Sequence, residues 1–380
     1  MTQITLYDQK NIDQLPWPDT EEAAQARALL LPMIKEGVET FIRNVDTQLY
    51  VLLVGNQLIP ITVNVHEYNN SYLTSNYFPI KYLEEKLSLN SSFMKRVKKS
   101  LVQGVGCLLK GVKINKAVIV NNWLLTTNIY AALSQSDLQE VTRFLSERFP
   151  DHILIFRSLN TRKCQDLVQD LKKQHYRLLY ARHVCIYDPH EKRNFSAKVH
   201  YHHRRDRRLI GSEGYEIVRY DQVQPAEKHR LLNLYNDLYL SRHTMFSPQY
   251  TEKFLQEALQ KKYLILVGLK KEGEVKGVIG FHEREGTLIA PFCGYNNDHG
   301  ESNHLYRMLT ILAIDEADTR GVLLNDGSGG EAPKQYRGMR TFPEYVALYD
   351  KHLPFHRRFF WGMAEKVVSK LHKFKQPSSQ

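Results

Sequence analysis

The hydrophobic and polar positions between Tyr263 and Tyr349 predict a run of strands, a helix and a further strand. The segments after Tyr263 are rich in apolar and β-branched residues and are separated by polar turns: YLILVGLK, GVIGFHER and GTLIAPFCGY. Leu305 to Thr319 has apolar residues at helical spacing, VLLN has the length of a buried strand, and a glycine-rich turn follows, DGSGGEAPKQYRGM. We expect three antiparallel strands, a helix, a short strand and then a turn with unusual backbone angles.

The N-terminal half has a similar order of elements. Thr20 is expected to cap a helix, and the next segment is expected to form a hairpin around Gly55 and Asn56, LYVLLVGNQLIPITVN. Lys116 to Tyr130 is predicted to contain two strands, and Ser136 or Asp137 to cap the helix that follows. This order predicts two related α/β halves, although no sequence repeat is visible.

The charge balance favours an acidic partner. The chain has 380 residues, room for about two domains, and carries 52 Lys and Arg against 41 Asp and Glu, a formal net charge of +11. Such an excess suits coenzyme A, an acyl carrier protein, a nucleic acid or an anionic membrane. The competing explanation is a basic protein whose charge has no specific partner.

The cysteines and the absence of targeting signals predict a cytoplasmic protein. The four cysteines lie far apart, without metal-binding spacing, and are expected to be reduced: Cys107, Cys164, Cys185 and Cys293. We therefore predict no metal site. The segment MTQITLYDQK lacks the pattern of a signal peptide, and no apolar run is long enough to span a bilayer.

Two segments outside this core carry candidate binding residues. His66 to Leu87 concentrates tyrosines and amides, of which Tyr72 and Tyr77 are predicted to line a polar cleft; a surface loop with packed rings is the alternative. The segment FSAKVHYHHRRDRRLIGS holds arginines that are candidates for an anion clamp: Arg204, Arg205 and Arg208. The alternative for these arginines is a solvated helix face.

The C-terminal segment has the pattern of a basic amphipathic helix. Six Lys or Arg and one acidic residue lie between Arg357 and Lys375, around several aromatic residues. A helix of this kind can lie in a membrane interface, which would make the protein peripheral at the inner membrane surface. The alternative is that it docks on its own domain through Trp361.

Three segments resemble the GNAT-type acyl-CoA N-acyltransferases, in the branch with Fem-type aminoacyl transferases and CelD-like acetyltransferases: VKGVIGFHEREGTLIAPFCGYN, LYRMLTILAIDEADTRG and LLNDGSGGEAPKQYRGMRTFPEYVALY. The resemblance covers Phe195 to Tyr349. It departs from the family between Asn296 and His304, where the pyrophosphate loop is missing and only Gly300 precedes the helix. A helix N-terminus can still bind phosphate there.

The resemblance implies an α/β (α+β) fold of the GNAT-like type, with two tandem lobes and mixed sheets. We expect an N-terminal lobe over residues 1–190, a C-terminal acyltransferase lobe over 195–352, and a basic helix and tail over 353–380. The implied activity is transfer of an acyl group from an acyl-CoA or acyl-carrier-protein thioester to a small amine. The alternatives are aminoacyl transfer from a charged tRNA, for which no nucleic-acid motif is present, and a non-catalytic binding module.

In such a mechanism a splayed strand offers a backbone N–H group to the thioester carbonyl, and we place this strand end at Phe281 to Arg284. Glu283 is then the expected general base. Asn325 and Asp326 are expected to hold the acceptor amine, with Asp326 also catalytic. From the family ending, Lys334 is expected to stabilise charge and Tyr336 to protonate the leaving thiolate.

Two further features of this region bear on its chemistry. Ser328 lies in the turn after VLLN and is a predicted substrate contact, in the place where α/β sheets bind their ligands. A Cys293 and His282 nucleophile pair is the competing chemistry, supported only by their positions on neighbouring predicted strands.

Overall fold

The computed structural model describes residues 3–88, 93–220, 225–296 and 301–375. Its strands are β1 Ile4–Tyr7, β2 Gln48–Val54, β3 Gln57–Asn64, β4 Ala117–Val120, β5 Ile153–Asn160, β6 Arg177–Tyr187, β7 Glu216–Tyr220, β8 Ile265–Lys271, β9 Glu274–Arg284, β10 Thr287–Tyr295, β11 Leu323–Asn325 and β12 Arg340–Tyr349. Its α-helices are α1 Glu21–Glu36, α2 Phe78–Ser88, α3 Phe93–Gly111, α4 Gln135–Arg148, α5 Gln165–Lys173, α6 Ala197–Ser212, α7 Pro225–Asn236, α8 Glu252–Gln260, α9 Glu301–Arg320, α10 Glu331–Gln335 and α11 Phe355–Lys375.

The strands form one mixed sheet in the order β1-β2-β3-β4-β5-β12-β6-β11-β10-β9-β8-β7. In the N-terminal half, β2, β3 and β4 are antiparallel neighbours, and α4 leads from β4 to the parallel strand β5. In the C-terminal half, β8, β9 and β10 repeat this arrangement, and α9 leads to the parallel strand β11. The predicted mixed α/β fold with two tandem lobes is confirmed.

The two halves are joined by strands that interleave at the centre of the sheet. β12, which we assigned to the C-terminal lobe, lies between β5 and β6 and pairs antiparallel with both. β6, from the N-terminal lobe, pairs on its other side with β11. Residues that line the junction between the halves therefore come from segments far apart in the chain.

Local sequence explains most of the element boundaries. The Thr20 hydroxyl accepts a hydrogen bond from the Ala23 N–H at 3.1 Å, as expected for the cap of α1. Ser134 caps α4 in place of the predicted Ser136 or Asp137. The segment that we predicted as two strands contains only β4, because the chain turns at Asn121 with a φ of 57°.

Three helices cover one face of the sheet in the N-terminal half. Ile80 of α2 and Trp361 of α11 are buried in a core cluster with Ile119 and Ile155 of the sheet, and Val102 of α3 packs against the same cluster. The helices α2, α3 and α11 are therefore neighbours on this face. Among the described residues, no helix is both long enough and apolar enough to cross a membrane.

Candidate active site

A wedge opens in the sheet of the C-terminal half. β10 pairs with β11 only from Thr287 to Ile289, but it continues along β9 as far as Tyr295. The register of β10 on β9 shifts between Ile289 and Phe292, at the position of Pro291, which has no N–H group to donate. Because β11 ends at Asn325, the second half of β10 has no β11 residue beside it.

The corresponding wedge of the N-terminal half is filled by the chain itself. The Asn122 side-chain amide donates to the Thr62 hydroxyl at 2.9 Å and to the Leu73 carbonyl at 3.0 Å. The Trp123 indole N–H donates to the Asn121 side chain at 2.9 Å, and Trp123 is 2% exposed. The loop after β4 also reaches β5, where the Asn128 N–H donates to the Ser158 hydroxyl at 3.1 Å and the Tyr130 hydroxyl donates to the Arg157 carbonyl at 2.6 Å.

A cavity of about 880 Å³ lies where the C-terminal wedge meets the N-terminal half. This volume is in the range of small-molecule sites. The C-terminal half contributes polar and thiol groups to its wall: Cys293, Tyr306, Asn325, Asp326, Ser328 and Lys334. The N-terminal half and the inserted strand β12 contribute a second polar set: Tyr72, Arg157, Ser158, Arg182 and Glu344.

Asp326 and Lys334 form the polar centre of the C-terminal wall. The Lys334 ammonium donates to the Asp326 carbonyl at 2.6 Å and lies 3.1 Å from its carboxylate oxygen Oδ2. The predicted unusual backbone angles are confirmed in the turn between them, where Gly327, Gly329 and Gly330 have φ values of 67°, 85° and 59°. Such angles let the backbone turn tightly, so that α10 places Lys334 in contact with Asp326.

Two further groups in this wall are kept in their protonated forms by burial. The Tyr306 hydroxyl is buried and has no hydrogen-bond partner within the described residues. Burial, with a contribution from the Asp326 charge, raises the pKa of Tyr306 to about 12. The same two causes raise the pKa of Cys293 to about 12. Tyr306 is therefore a potential proton donor at neutral pH, whereas Cys293 is a poor nucleophile.

The opposite wall contains a partly compensated charge cluster. The Arg182 guanidinium donates to the Glu344 carboxylate oxygen Oε1 at 2.7 Å, while the other oxygen, Oε2, is buried without a partner among the described residues. Arg157 donates to the Leu73 carbonyl at 2.6 Å. Burial, and then the charge of Arg182, lowers the pKa of Arg157. This wall can therefore offer both donors and an acceptor to a polar ligand.

The cavity contains five of the predicted site residues: Tyr72, Asn325, Asp326, Ser328 and Lys334. Glu283 lies outside the cavity lining, in an ion pair with Arg320 at 2.8 Å. The wedge is bounded by β10 and β11, so the splay is one strand away from the end of β9 where we placed it. This displacement explains why Glu283 is not in the cavity.

Two predicted tyrosines also lie outside the cavity lining. Tyr336 is 51% exposed and stacks on His202 of α6, with 5.8 Å between the ring centroids. Tyr77 is buried, but its ring packs against Tyr68, with centroids 5.1 Å apart. Their aromatic rings therefore serve packing contacts in this structure.

The predicted arginine clamp lies on the exposed face of α6. His203, Asp206 and Ile210 are the buried residues of this helix, and their helical spacing turns the candidate arginines outward: Arg204, Arg205 and Arg208. Likewise, no Cys293–His282 pair forms. His282 is buried elsewhere, with its Nδ1 atom 2.9 Å from the Tyr263 carbonyl oxygen.

Sequence reasoning missed several polar residues of the cavity, of which four matter most to its chemistry: Tyr306, Arg157, Arg182 and Glu344. A signal was present for three of them, because a charged residue interrupts an otherwise apolar or aromatic strand in FRSL, YARHV and FPEYV. Tyr306 had a weaker signal, its place near the start of the helix after β10.

Comparisons with known proteins support the assignment of the C-terminal half. Residues 197–336 match the model of the acetyltransferase (GNAT) domain family, and no curated protein matches the chain. A conserved protein of unknown function from Bacteroides thetaiotaomicron is 9% identical, with 92% of this chain and 99% of that chain covered and a TM-score of 0.49.

Two other solved structures are similar at the same distant level. For FemX the identity is 8%, the coverage is 66% of this chain and 83% of that one, and the TM-score is 0.46. A tandem GNAT protein from the clavulanic acid biosynthesis pathway is 7% identical, with 92% of this chain and 98% of that chain covered and a TM-score of 0.41. The match of the segment 197–336 to the acetyltransferase (GNAT) domain model confirms the predicted resemblance to that superfamily.

Proposed function

We propose that the protein transfers an acyl group from a thioester donor to an amine acceptor in the central cavity. The observation that carries this proposal is the open wedge between β10 and β11, which lies within the GNAT-matched segment and borders the cavity. A carboxylate, Asp326, and an unpartnered hydroxyl, Tyr306, line the same cavity. Acyl transfer to an amine needs one group that accepts a proton and one that donates it.

The wedge would hold the thioester carbonyl. In an antiparallel pair, alternate N–H groups of a strand point away from its partner, so the second half of β10 directs N–H groups toward the side that β11 leaves open. A carbonyl oxygen placed there gains hydrogen bonds as negative charge develops on it. Pro291 donates none, which limits the donors to its neighbours in β10.

The proton transfers would be divided between two residues. Asp326 accepts a proton from the acceptor ammonium, and the free amine then attacks the carbonyl carbon to form the new C–N bond. Collapse of the tetrahedral intermediate breaks the C–S bond, and the departing thiolate takes the proton of Tyr306. The amide nitrogen releases its second proton to solvent, and Asp326 also gives its proton to solvent. Tyr306 is reprotonated from solvent, so both residues return to their starting states and one proton is released in each turnover.

Other residues would position these groups and the substrates. Lys334 holds Asp326 through its carbonyl and carboxylate oxygens. Asn325, Ser328 and Tyr72 remain proposed substrate contacts, because all three line the cavity. We assign no catalytic role to Glu283 or Tyr336 and no substrate contact to Tyr77.

The donor is proposed to be an acyl-CoA or an acylated carrier protein. Both are acidic, and the chain carries a formal net charge of +11. Arg204, Arg205 and Arg208 remain a proposed anion-binding surface outside the cavity. His202, on the same helix as these arginines, stacks on Tyr336. Tyr336 directly follows α10, the helix that carries Lys334 of the cavity wall.

The proposal is tested by a donor screen followed by a transfer assay. The purified full-length chain is examined by native mass spectrometry and thermal shift with coenzyme A, acyl-CoAs of several lengths and an acylated carrier protein. We expect one donor class to bind, and acyl transfer to a small amine to follow. Asp326→Asn should keep donor binding but lose transfer, while the matched surface variant Asp166→Asn should keep both.

Three outcomes would contradict the proposal. If no thioester binds or reacts, the donor is not a thioester of these classes. If transfer in a cell extract is abolished by ribonuclease and restored by charged tRNA, the donor is an aminoacyl-tRNA. Binding of a thioester without transfer to any amine tested would favour the non-catalytic module.

A further inference from the structure

The C-terminal helix α11 presents a long apolar row to solvent. Five apolar residues at four-residue spacing are each between 50% and 78% exposed: Phe355, Phe359, Met363, Val367 and Leu371. Residues at this spacing form a continuous ridge along a helix. The helix is held on the protein by its other side, where Trp361 is 6% exposed in a core cluster. α11 therefore docks on its own domain through Trp361 and also exposes an apolar row on its other side, as a membrane-interface helix would.

A second helix, α3, has a similar face. Val97, Leu101, Val105 and Leu108 are between 42% and 72% exposed and lie on one side of the helix. The adjacent side of α3 packs on the protein through Val102 and Leu109. Exposed apolar residues are common singly, but two rows of them mark an interaction surface.

The two helices that carry these rows are joined near the end of α3 and the start of α11. Arg357, near the start of α11, donates to the carbonyls of Val112 and Lys113 just after α3, at 3.0 and 3.1 Å. Both helices also pack on the same core cluster. We refer to the exposed residues of α3 and α11 together as the α3–α11 face.

Basic side chains are interleaved with the apolar residues on this face. Arg358, Lys366 and Lys370 are exposed and follow Phe355, Met363 and Val367 by three residues, so each lies beside an apolar neighbour. Exposed Lys98 precedes Leu101 by three residues in α3. The one acidic residue of α11, Glu365, is paired with Arg177 at 3.0 Å. Long basic side chains of this kind can place their charge at lipid headgroups while their stems stay in apolar surroundings.

We infer that the α3–α11 face docks on a lipid bilayer that contains anionic headgroups. The apolar rows enter the headgroup boundary and the basic residues pair with lipid phosphates. Charge complementarity selects this occupant over a second copy of the chain, because two copies would bring two positively charged faces together. The binding is interfacial, in agreement with the finding that no helix in the described ranges can cross a membrane.

The central cavity lies behind α11. Trp361, on the side of this helix opposite the exposed row, lines the cavity, and so does Pro79, which is exposed at the start of α2. Membrane docking would therefore bring the cavity close to the bilayer surface. The inference itself rests on the helices alone and does not depend on the proposed acyl transfer.

The test is co-sedimentation of the full-length chain with vesicles of defined composition. We expect binding to vesicles of equal parts phosphatidylglycerol and phosphatidylcholine, and at least tenfold weaker binding to phosphatidylcholine alone. Raising the salt concentration should weaken binding to the anionic vesicles. Lys366→Glu with Lys370→Glu should reduce the affinity about 25-fold or more, from about fivefold for each basic residue at the surface.

Single variants distinguish binding through the α3–α11 face from nonspecific adsorption of exposed apolar residues to vesicles. Phe359→Ser and Leu101→Ser should each weaken vesicle binding about tenfold. Ile217→Ser, which removes a side chain that is 50% exposed on β7, should leave it unchanged. Since all these positions are exposed, circular dichroism should show folded protein in each case.

Three results would overturn the inference. The first is the absence of binding to anionic vesicles by the unaltered chain. The second is equal binding to both vesicle types without salt dependence. The third is a reversible dimer in sedimentation velocity that Phe359→Ser dissociates while vesicle binding is unaffected, which would assign the face to a second copy.

Discussion

The two halves of the sheet share one arrangement but use it differently. In each half, three antiparallel strands are followed by a helix and a parallel strand, which leaves a wedge beside the third strand. In the N-terminal half the loop after β4 fills this wedge with Asn121, Asn122 and Trp123. In the C-terminal half the second part of β10 stays open toward the cavity.

This difference separates stability from chemistry. The filled wedge buries an indole ring and satisfies its polar groups within the chain, which stabilises the fold. The open wedge leaves the Tyr306 hydroxyl without a partner in the described structure, which is costly unless a ligand supplies one. We therefore expect changes in the N-terminal wedge to affect the free energy of unfolding, and changes in the C-terminal wedge to affect activity.

The largest expected effect on activity is that of Asp326→Asn. It removes the proposed proton acceptor while leaving the backbone carbonyl that Lys334 contacts. We expect kcat/KM for acyl transfer to fall about 1,000-fold, with donor binding retained. Glu283→Gln, outside the cavity, should change kcat/KM by less than about twofold, as measured by mass spectrometry of the product. The reverse result would restore Glu283 as the base.

Trp123→Ala should have the largest effect on stability. Loss of this buried ring, which also lies under the Arg284 guanidinium at 4.0 Å, should lower the free energy of unfolding by about 3–5 kcal/mol. Trp17→Ala, at a half-buried position, should cost less than half as much in the same denaturant titration. Equal losses of unfolding free energy in the two variants would mean that the filled wedge does not contribute more to stability than a half-buried position.

Tyr306→Phe should reduce kcat about ten- to 100-fold without lowering stability. The variant removes the proposed proton donor, and it also removes a buried hydroxyl that has no partner in the described residues. The loss should be smaller with a donor whose leaving thiol is more acidic, since that thiolate needs less help from an acid. A loss independent of the leaving group would argue for a binding role of Tyr306 instead.

Among the cavity variants, the smallest expected effect is that of Cys293→Ser. Because burial raises the pKa of this thiol to about 12, it stays protonated and does not act as a nucleophile. We expect activity within about threefold of the unaltered protein and no acylated form of the enzyme by intact-mass measurement. An acyl adduct on Cys293 during turnover would replace the direct-transfer mechanism with a covalent one.

The sequence predicted those elements of the fold that are determined by local pattern. Alternation and turn residues located β8, β9, β10 and β11, and Thr20 marked the start of α1. The loop after β4 was predicted as a strand because NNWLL is apolar enough for one. Asn122 instead donates hydrogen bonds to Thr62 and Leu73, contacts that a local pattern does not reveal.

The candidate site was readable only where it is contiguous. Asn325, Asp326, Ser328 and Lys334 follow one short strand, so the glycine-rich turn identified them together. The other wall comes from β5, β6 and β12, and its residues meet because β12 inserts between the other two strands. Glu283 was chosen because the splay was expected at the end of β9, whereas the wedge in the structure lies between β10 and β11, one strand further along the sheet.

The most direct test of the difference between the wedges is hydrogen–deuterium exchange with the thioester that binds best in the donor screen. Bound donor should protect the backbone amides of residues 290–295 and 325–330, in the open wedge. Residues 121–125, the part of the filled wedge that does not line the cavity, should exchange at the same rate with and without donor. Protection of 121–125 without protection of 290–295 would contradict the account, because it would place the donor in the half that we assign to stability.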